Sequence, residues 1–179
     1  PLQPENKTVS VLFVDVRGFT AFAEAHTPGE TITTLNEVFE HLDQVVHACG
    51  GMIDKHIGDA LMAVFGVGNK YQENAAQAVA CAQALKQAIS SWNKERIEKG
   101  IAPIEIGIGI ATGAVVSGDV GSSVRSDFTV IGSAVNLAAR LVEAAAPGCI
   151  LIDARTAAEC GGLPCVSKGM HKIRGFAAP

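Results

Sequence analysis

The sequence predicts an α+β domain with a ferredoxin-like βαββαβ core and a C-terminal αβ extension. An apolar, β-branched run at Val9–Val16 has the length and composition of a buried strand. Two longer segments, 27–50 and 74–99, repeat apolar residues with the three- and four-residue spacing of a helix. Between the two helices, two short apolar runs flank Ile57-Gly58-Asp59, which indicates a hairpin. A further strand is predicted after the second helix, at Ile104–Ala111. This order of elements gives βαββαβ.

The ends of the two helices carry their own sequence signals. Thr27 and Glu30 have the spacing of a capping box, and Pro28 stands at the first helical position. Gly50 and Gly100 follow the last apolar positions of the first and second helix, where glycine commonly ends a helix. These signals support both helices independently of the apolar spacing.

Shorter elements are predicted after residue 111. Strands are expected at 114–117 and 127–131, on either side of a Gly/Ser-rich loop at 118–123. Ser133 is expected to cap a helix that continues to about Ala146. The remaining predicted elements are a strand at 149–152, a short helix at 154–160 and a last strand at 166–173.

Composition limits the kind of protein. A chain of 179 residues that is 48% hydrophobic can bury a substantial core within one domain. We predict that residues 1–8 are a linker from a larger protein and that residues 9–179 form the domain. The net charge of −4 and the lack of a Lys/Arg run argue against a nucleic-acid partner. Five cysteines without a CxxC pair indicate buried, reduced thiols and a cytoplasmic domain, with regulatory or membrane-anchoring parts expected outside this chain.

Two aspartates are candidates for metal binding. Asp15 ends the first strand and precedes a glycine turn into a helix, where backbone N–H groups favour an anion. Asp59 lies in the predicted hairpin, so adjacent strands could bring the two carboxylates together as an oxygen-rich site for Mg²⁺ or Mn²⁺. The alternatives are structural: Asp15 as a helix cap and Asp59 as an ordinary turn residue.

Asn136 and Arg140 are candidates for contacting a phosphorylated substrate. They stand four residues apart and therefore project from one face of the predicted helix. Arginine binds phosphate oxygens in a forked geometry, and asparagine can orient a hydroxyl. The surrounding leucines and alanines predict a largely buried helix, which favours a functional role over an arginine that only reaches from the core to solvent. From the residues alone, Lys55 and Thr129 are surface strand residues.

These segments, in this order, resemble the class III nucleotidyl cyclase family from Val9 to about Gly175. Four ordered matches are far more specific than any one of them. The matching stretches are Phe13–Thr20 (FVDVRGFT), Lys55–Ala60 (KHIGDA), Ile108–Gly113 (IGIATG) and Val130–Leu141 (VIGSAVNLAARL).

The resemblance implies a role for each matching residue. It implies that Asp15, Val16 and Asp59 bind two Mg²⁺ or Mn²⁺ ions in each active site. It also implies that Asn136 and Arg140 orient the ribose and stabilise the transition state. It assigns selection of adenine to Lys55 and its partner Thr129, which is typical of the class IIIb subgroup and suggests bicarbonate regulation. The other residues assigned to substrate binding are Phe19, Thr20 and Arg174.

The implied reaction is the conversion of ATP to 3′,5′-cyclic AMP and pyrophosphate. In the family, the aspartates come from one subunit and the Lys/Thr/Asn/Arg set from the other, so a homodimer with shared active sites is expected. Two alternatives stay open: a guanylate cyclase, which Lys55 disfavours, and a catalytically silent module for dimerisation or sensing. Ser133 stands where aspartate is common, and we expect this to change only the helix cap.

Overall fold

The structure is a computed structural model that describes residues 4–68, 73–122, 124, 126–162 and 164–169. Six strands and five helices are assigned within this part of the chain. In chain order they are β1 (Glu5–Val16), α1 (Phe19–Ala25), α2 (Pro28–Ala48), β2 (Met52–Ile57), β3 (Ala60–Phe65), α3 (Asn74–Glu98), β4 (Ile106–Gly121), β5 (Ser126–Ile131), α4 (Ser133–Ala144), β6 (Ile150–Ile152) and α5 (Ala154–Glu159).

The predicted βαββαβ core is confirmed. Its strands lie in the order β2-β3-β1-β4, and each neighbouring pair is antiparallel. The extension adds β5 in antiparallel and β6 in parallel orientation to β4, at different ends of that long strand. The predicted capping box is also present, because the Thr27 hydroxyl accepts from the Glu30 backbone and the Glu30 carboxylate accepts from the Thr27 backbone.

β1 is the centre of the fold because both of its edges are paired and both of its faces are covered. Val9, Val11 and Phe13 face the cluster packed under α4. Leu12 and Val14 face the opposite cluster, formed with α2 and α3. Burial on both faces explains why this strand is apolar throughout instead of alternating.

Two glycines of β4 let the neighbouring elements approach closely. A Cβ atom at Gly109 would overlap the backbone of α4 at Val142, and one at Gly107 would overlap the Arg17 guanidinium. Both glycines lie on the face of β4 that α4 covers. Gly109 is therefore required for the packing of α4 on the sheet, and Gly107 leaves space for the Arg17 side chain.

The sheet curls strongly. β2 and β5 are at the two ends of the main strand order, yet Lys55 of β2 hydrogen-bonds Thr129 of β5. The β4–β5 hairpin is long enough to bring β5 back towards β2, because β4 continues well beyond its pairing with β6. This curl brings together residues that the strand order alone would separate.

Several predicted boundaries were wrong. β1 begins at Glu5, before the predicted Val9, because its pairing with β4 continues back to Ser117. The strands predicted at 104–111 and 114–117 are one strand, β4, which also takes in the predicted loop as far as Gly121. Gly132, without a side-chain cap, precedes α4, so Ser133 is already helical and does not cap it.

The C-terminal predictions are only partly covered. Residues 164–169 have no strand, and 170–173 of the predicted last strand lie outside the described residues.

Cys81 and Cys160 are buried as expected, but Cys149 and Cys165 are exposed. Across the described ranges, every helix is too short or too polar to cross a membrane.

Candidate active site

Asp15 and Asp59 lie side by side at one edge of the sheet. Asp15 is the register partner of Ala60, the residue that follows Asp59. The Val16 backbone N–H donates to the Asp59 carbonyl oxygen at 3.3 Å, which ties the β2–β3 turn to the end of β1. Gly58 adopts a φ of 62° in this turn, a conformation that glycine adopts without strain. The fold thus brings the two candidate metal ligands together.

The electrostatics around Asp15 favour a nearby cation. Burial raises the pKa of the Asp15 carboxyl, Arg17 opposes this increase, and the negative charges of Asp59 and Glu143 add to it. Like charges held together in a half-buried position repel each other unless a cation neutralises them. Among the described residues, however, no three His, Cys, Asp or Glu side chains cluster as metal ligands.

Arg17 is a site residue that the sequence analysis missed. Its Nη1 lies 3.8 Å from Asp15 Oδ2, and its Nη2 donates to the Val142 carbonyl of α4. Gly107 provides the space for this guanidinium. Arg17 therefore connects the candidate metal carboxylate to α4, and the only sequence signal for it was its position two residues after Asp15.

The start of α1 decides between two interpretations of Asp15. The residue before this helix is Gly18, with a φ of 70°, and no side chain caps the helix. Asp15 is therefore not a helix cap. Phe19 stacks on Phe22 with ring centroids 5.7 Å apart, and Thr20 is exposed.

Lys55 and Thr129 belong to a hydrogen-bonded group that also contains Asp54, and we call these three residues the β2–β5 cluster. Lys55 Nζ donates to Thr129 Oγ1 at 3.0 Å and lies 3.0 Å from Asp54 Oδ2. Thr129 Oγ1 donates to the same Asp54 oxygen at 2.9 Å. Thr129 is 8% exposed and the Asp54 side chain is fully buried, so these are not ordinary surface strand residues.

Sequence reasoning missed Asp54 because strict strand alternation would place its side chain opposite to that of Lys55. The register of β2 with β3 shifts between Ile53 and Lys55, which makes Asp54 the extra residue of a β-bulge. The bulge allows neighbouring residues to contact the same hydroxyl of Thr129.

Asn136 and Arg140 lie on the exposed face of α4, which we call the α4 face. The predicted largely buried helix is buried on its opposite face only, and Asn136 and Arg140 are exposed. Arg140 Nη1 donates to both carboxylate oxygens of Glu143, at 2.9 and 2.8 Å. Within the described ranges, no hydrogen bond or ion pair joins the α4 face to an aspartate of the candidate metal site or to the β2–β5 cluster. Arg174 lies outside the described residues.

Comparisons with known proteins identify the family. The sequence model of the adenylate and guanylate cyclase catalytic domain family matches residues 2–175. An adenylate cyclase of Anabaena cylindrica is 40% identical over 139 residues, which cover 75% of this chain and 27% of the relative. An uncharacterized protein of Mycobacterium tuberculosis is 37% identical over 79% of this chain and 24% of its own length. The chain thus spans about a quarter of the length of these relatives.

Solved structures agree in fold with this chain. The adenylyl cyclase CyaB from P. aeruginosa superposes with a TM-score of 0.94 at 33% identity, covering 99% of this chain and 93% of the other. The guanylyl cyclase Cya2 superposes with a TM-score of 0.91 at 32% identity, covering 98% and 89%. The match over nearly the whole chain, together with the paired aspartates at the sheet edge, leads to one conclusion: the chain belongs to the adenylate and guanylate cyclase catalytic domain family.

Proposed function

We propose that this domain is an adenylate cyclase, which converts ATP to 3′,5′-cyclic AMP and pyrophosphate at sites shared between two copies of the chain. The observation that carries the choice of ATP is the hydrogen bond between Lys55 and Thr129. It places a cationic donor beside a hydroxyl oxygen, a pair that can read one edge of a purine. The similarity to adenylyl cyclase CyaB supports the same choice.

The residues at the sheet edge fit a divalent metal site. Asp15 and Asp59 offer carboxylate oxygens, and Val16 can offer only its backbone carbonyl. Mg²⁺ commonly binds one or two protein carboxylates together with substrate phosphates, so a larger cluster of protein ligands is unnecessary. Two Mg²⁺ or Mn²⁺ ions, when bound, would acidify the ribose 3′-hydroxyl and neutralise the triphosphate.

The α4 face supplies the groups for the reacting phosphate. Arg140 would stabilise the charge that develops on the α-phosphoryl oxygens while the 3′-oxygen attacks and pyrophosphate leaves. Asn136 would orient the ribose. Phe19, Thr20 and Arg174 are proposed to contact the substrate, Arg174 at its triphosphate.

A dimer explains why the α4 face is exposed. In one chain, Arg140 is paired with Glu143, and its guanidinium is available to a second molecule. If the α4 face of one copy meets the aspartates of the other, two-fold symmetry creates two equivalent sites. For the whole protein, we propose regulation by bicarbonate, which Thr129 suggests. We also propose that the catalytic domain lies in the cytoplasm.

Incubation with ATP or GTP and Mn²⁺ over a range of protein concentrations tests the proposal. We expect cyclic AMP to exceed cyclic GMP by at least about tenfold, because the Lys55–Thr129 pair suits adenine. Specific activity should rise with protein concentration as dimers form. Preferential cyclic GMP formation would favour the guanylate cyclase alternative. The similarity of this chain to the guanylyl cyclase Cya2 also supports that alternative. No product from a proven dimer would favour a silent module.

A further inference from the structure

We infer that Asp54 is a specificity-determining residue that selects adenine by fixing the direction of the Thr129 hydroxyl. This inference rests on the proposed function, because it concerns how that site distinguishes ATP from GTP. Asp54 has this influence without touching the substrate, so it is a positioning residue that acts through Thr129.

The geometry leaves one arrangement for the hydroxyl hydrogen. Thr129 Oγ1 lies 2.9 Å from Asp54 Oδ2, and a carboxylate oxygen can only accept, so the hydroxyl donates to Asp54. A hydroxyl has a single hydrogen. Towards every other neighbour, Thr129 therefore presents lone pairs, as it does to Lys55 Nζ at 3.0 Å.

Lys55 is oriented by the same carboxylate. Its ammonium group has three hydrogens, of which one points to Thr129 and one to Asp54. One donor stays available for a ligand. The cluster thus offers a substrate one donor, from Lys55, beside one acceptor, from Thr129.

This pattern matches adenine and, when position 6 of the base faces Thr129, does not match guanine. At position 6, adenine carries an amino donor, and its neighbouring ring nitrogen is an acceptor. Guanine carries a carbonyl acceptor at position 6, with an N–H donor next to it. With its hydrogen committed to Asp54, Thr129 can accept from the adenine amino group but cannot donate to the guanine carbonyl. A site that leaves polar groups unpaired rejects the wrong ligand strongly.

The burial of Asp54 supports a specific role for this residue. Its side chain is fully buried, and among the described residues its Oδ1 has no hydrogen-bond partner. An unpaired buried carboxylate oxygen costs free energy, so the fold retains this residue at a loss to stability. Besides this unpaired oxygen, Asp54 lies at a β-bulge, which places its side chain against Thr129.

Selectivity measurements on four variants test the inference. The variants are Asp54→Ala, Asp54→Ser, Thr129→Val and the double variant Asp54→Ala/Thr129→Val, with kcat/KM measured for ATP and GTP. Each single change should lower the ATP-to-GTP ratio by about tenfold, because the hydroxyl is either released or removed. The double variant should lower it about tenfold as well, instead of a hundredfold, because Asp54 acts through Thr129.

The matched control is Asp43→Ala, which removes a carboxylate that pairs with His56 of β2 at 3.0 Å without belonging to the cluster. It should leave the ratio unchanged. Mn²⁺ affinity without nucleotide should be unchanged in all variants, which separates base selection from damage to the metal site.

An unchanged ratio in whichever Asp54 variant folds, or additive effects in the double variant, would overturn the inference. These results differ from failure of the proposed function, in which the unmodified protein itself prefers GTP or forms no cyclic nucleotide.

Discussion

The β2–β5 cluster and the α4 face differ in how completely one chain organises them. In the cluster, Asp54, Lys55 and Thr129 contact one another at 2.9–3.0 Å, and the side chain of Asp54 is fully buried. On the α4 face, Arg140 is 42% exposed and is held by Glu143, three residues further along the same helix. Folding of one chain therefore completes the part proposed to read the base, whereas the part proposed to act on the phosphate stays open to a partner.

The two regions also differ in the cost of disturbing them. An exposed ion pair within a helix contributes about 0.3–0.5 kcal/mol, so Arg140 can exchange Glu143 for another anion at little cost. Removing a partner from a buried carboxylate leaves unpaired polar groups and costs about 1–3 kcal/mol. Substitutions in the two regions should therefore separate effects on activity from effects on stability.

The largest effect is expected at the carboxylates that the α4 face of a second copy would meet. Asp59→Asn should lower kcat by about 1000-fold, because half of the proposed metal-binding charge is lost. Mn²⁺ affinity, measured by electron paramagnetic resonance without nucleotide, should fall in parallel. Stability should not fall, because Asp59 repels Asp15. Asp43→Asn serves as the control, and an Asp59→Asn protein with normal Mn²⁺ affinity would refute the metal assignment.

Arg140→Ala should lower kcat by about 100- to 1000-fold, because a preorganised positive charge at the reacting phosphate is lost. The free energy of unfolding should change by less than about 0.5 kcal/mol. Arg155→Ala is a matched control, since Arg155 is an exposed arginine that pairs with Glu159 of its own helix at 2.8 Å. Equal activity in both variants would remove Arg140 from the site.

Thr129→Val should lower the stability of the protein, in contrast to Arg140→Ala. Denaturant unfolding should show a loss of about 1–3 kcal/mol, because the buried Asp54 and the partly exposed Lys55 each lose a hydrogen-bond partner. Thr31→Val is the control, since its hydroxyl donates at 2.9 Å to the Thr27 carbonyl at the surface. If both variants lose the same small amount of stability, the cluster is not preorganised in the way described.

Glu143→Gln should have the smallest effect. It releases Arg140 and removes an acidic neighbour of Asp15. We expect kcat to change by less than about threefold and stability by less than about 0.5 kcal/mol. A hundredfold loss of activity would instead place Glu143 among the residues that act on the substrate.

The sequence predicted the elements that have strong local signals. Apolar spacing located α2 and α3, and Thr27 with Glu30 located the start of α2 correctly. The continuity of β4 was missed, because Gly113 and Gly118 resemble turn residues until their pairing with β1 and β5 is known. A glycine inside a strand is tolerated where pairing with a neighbouring strand holds it.

The candidate site was predictable only in part. The aspartates follow strand and turn signals, whereas Asp54 enters its cluster through a β-bulge that strand alternation cannot reveal. The sequence predicted a largely buried helix here, but the composition of a helix does not show which polar residues lie on its outer side. That information depends on tertiary contacts, and for Arg140 on the proposed second chain.

Mixing Asp15→Ala and Arg140→Ala chains tests most directly whether the active site is shared between two copies. Each variant alone should be inactive. In a heterodimer, one site carries both substitutions and the other carries neither, so an equal mixture should recover about a quarter of unmodified activity. Analytical ultracentrifugation of differently tagged chains would verify that heterodimers form. Recovery near this level supports a shared site, and no recovery from a proven heterodimer would contradict it.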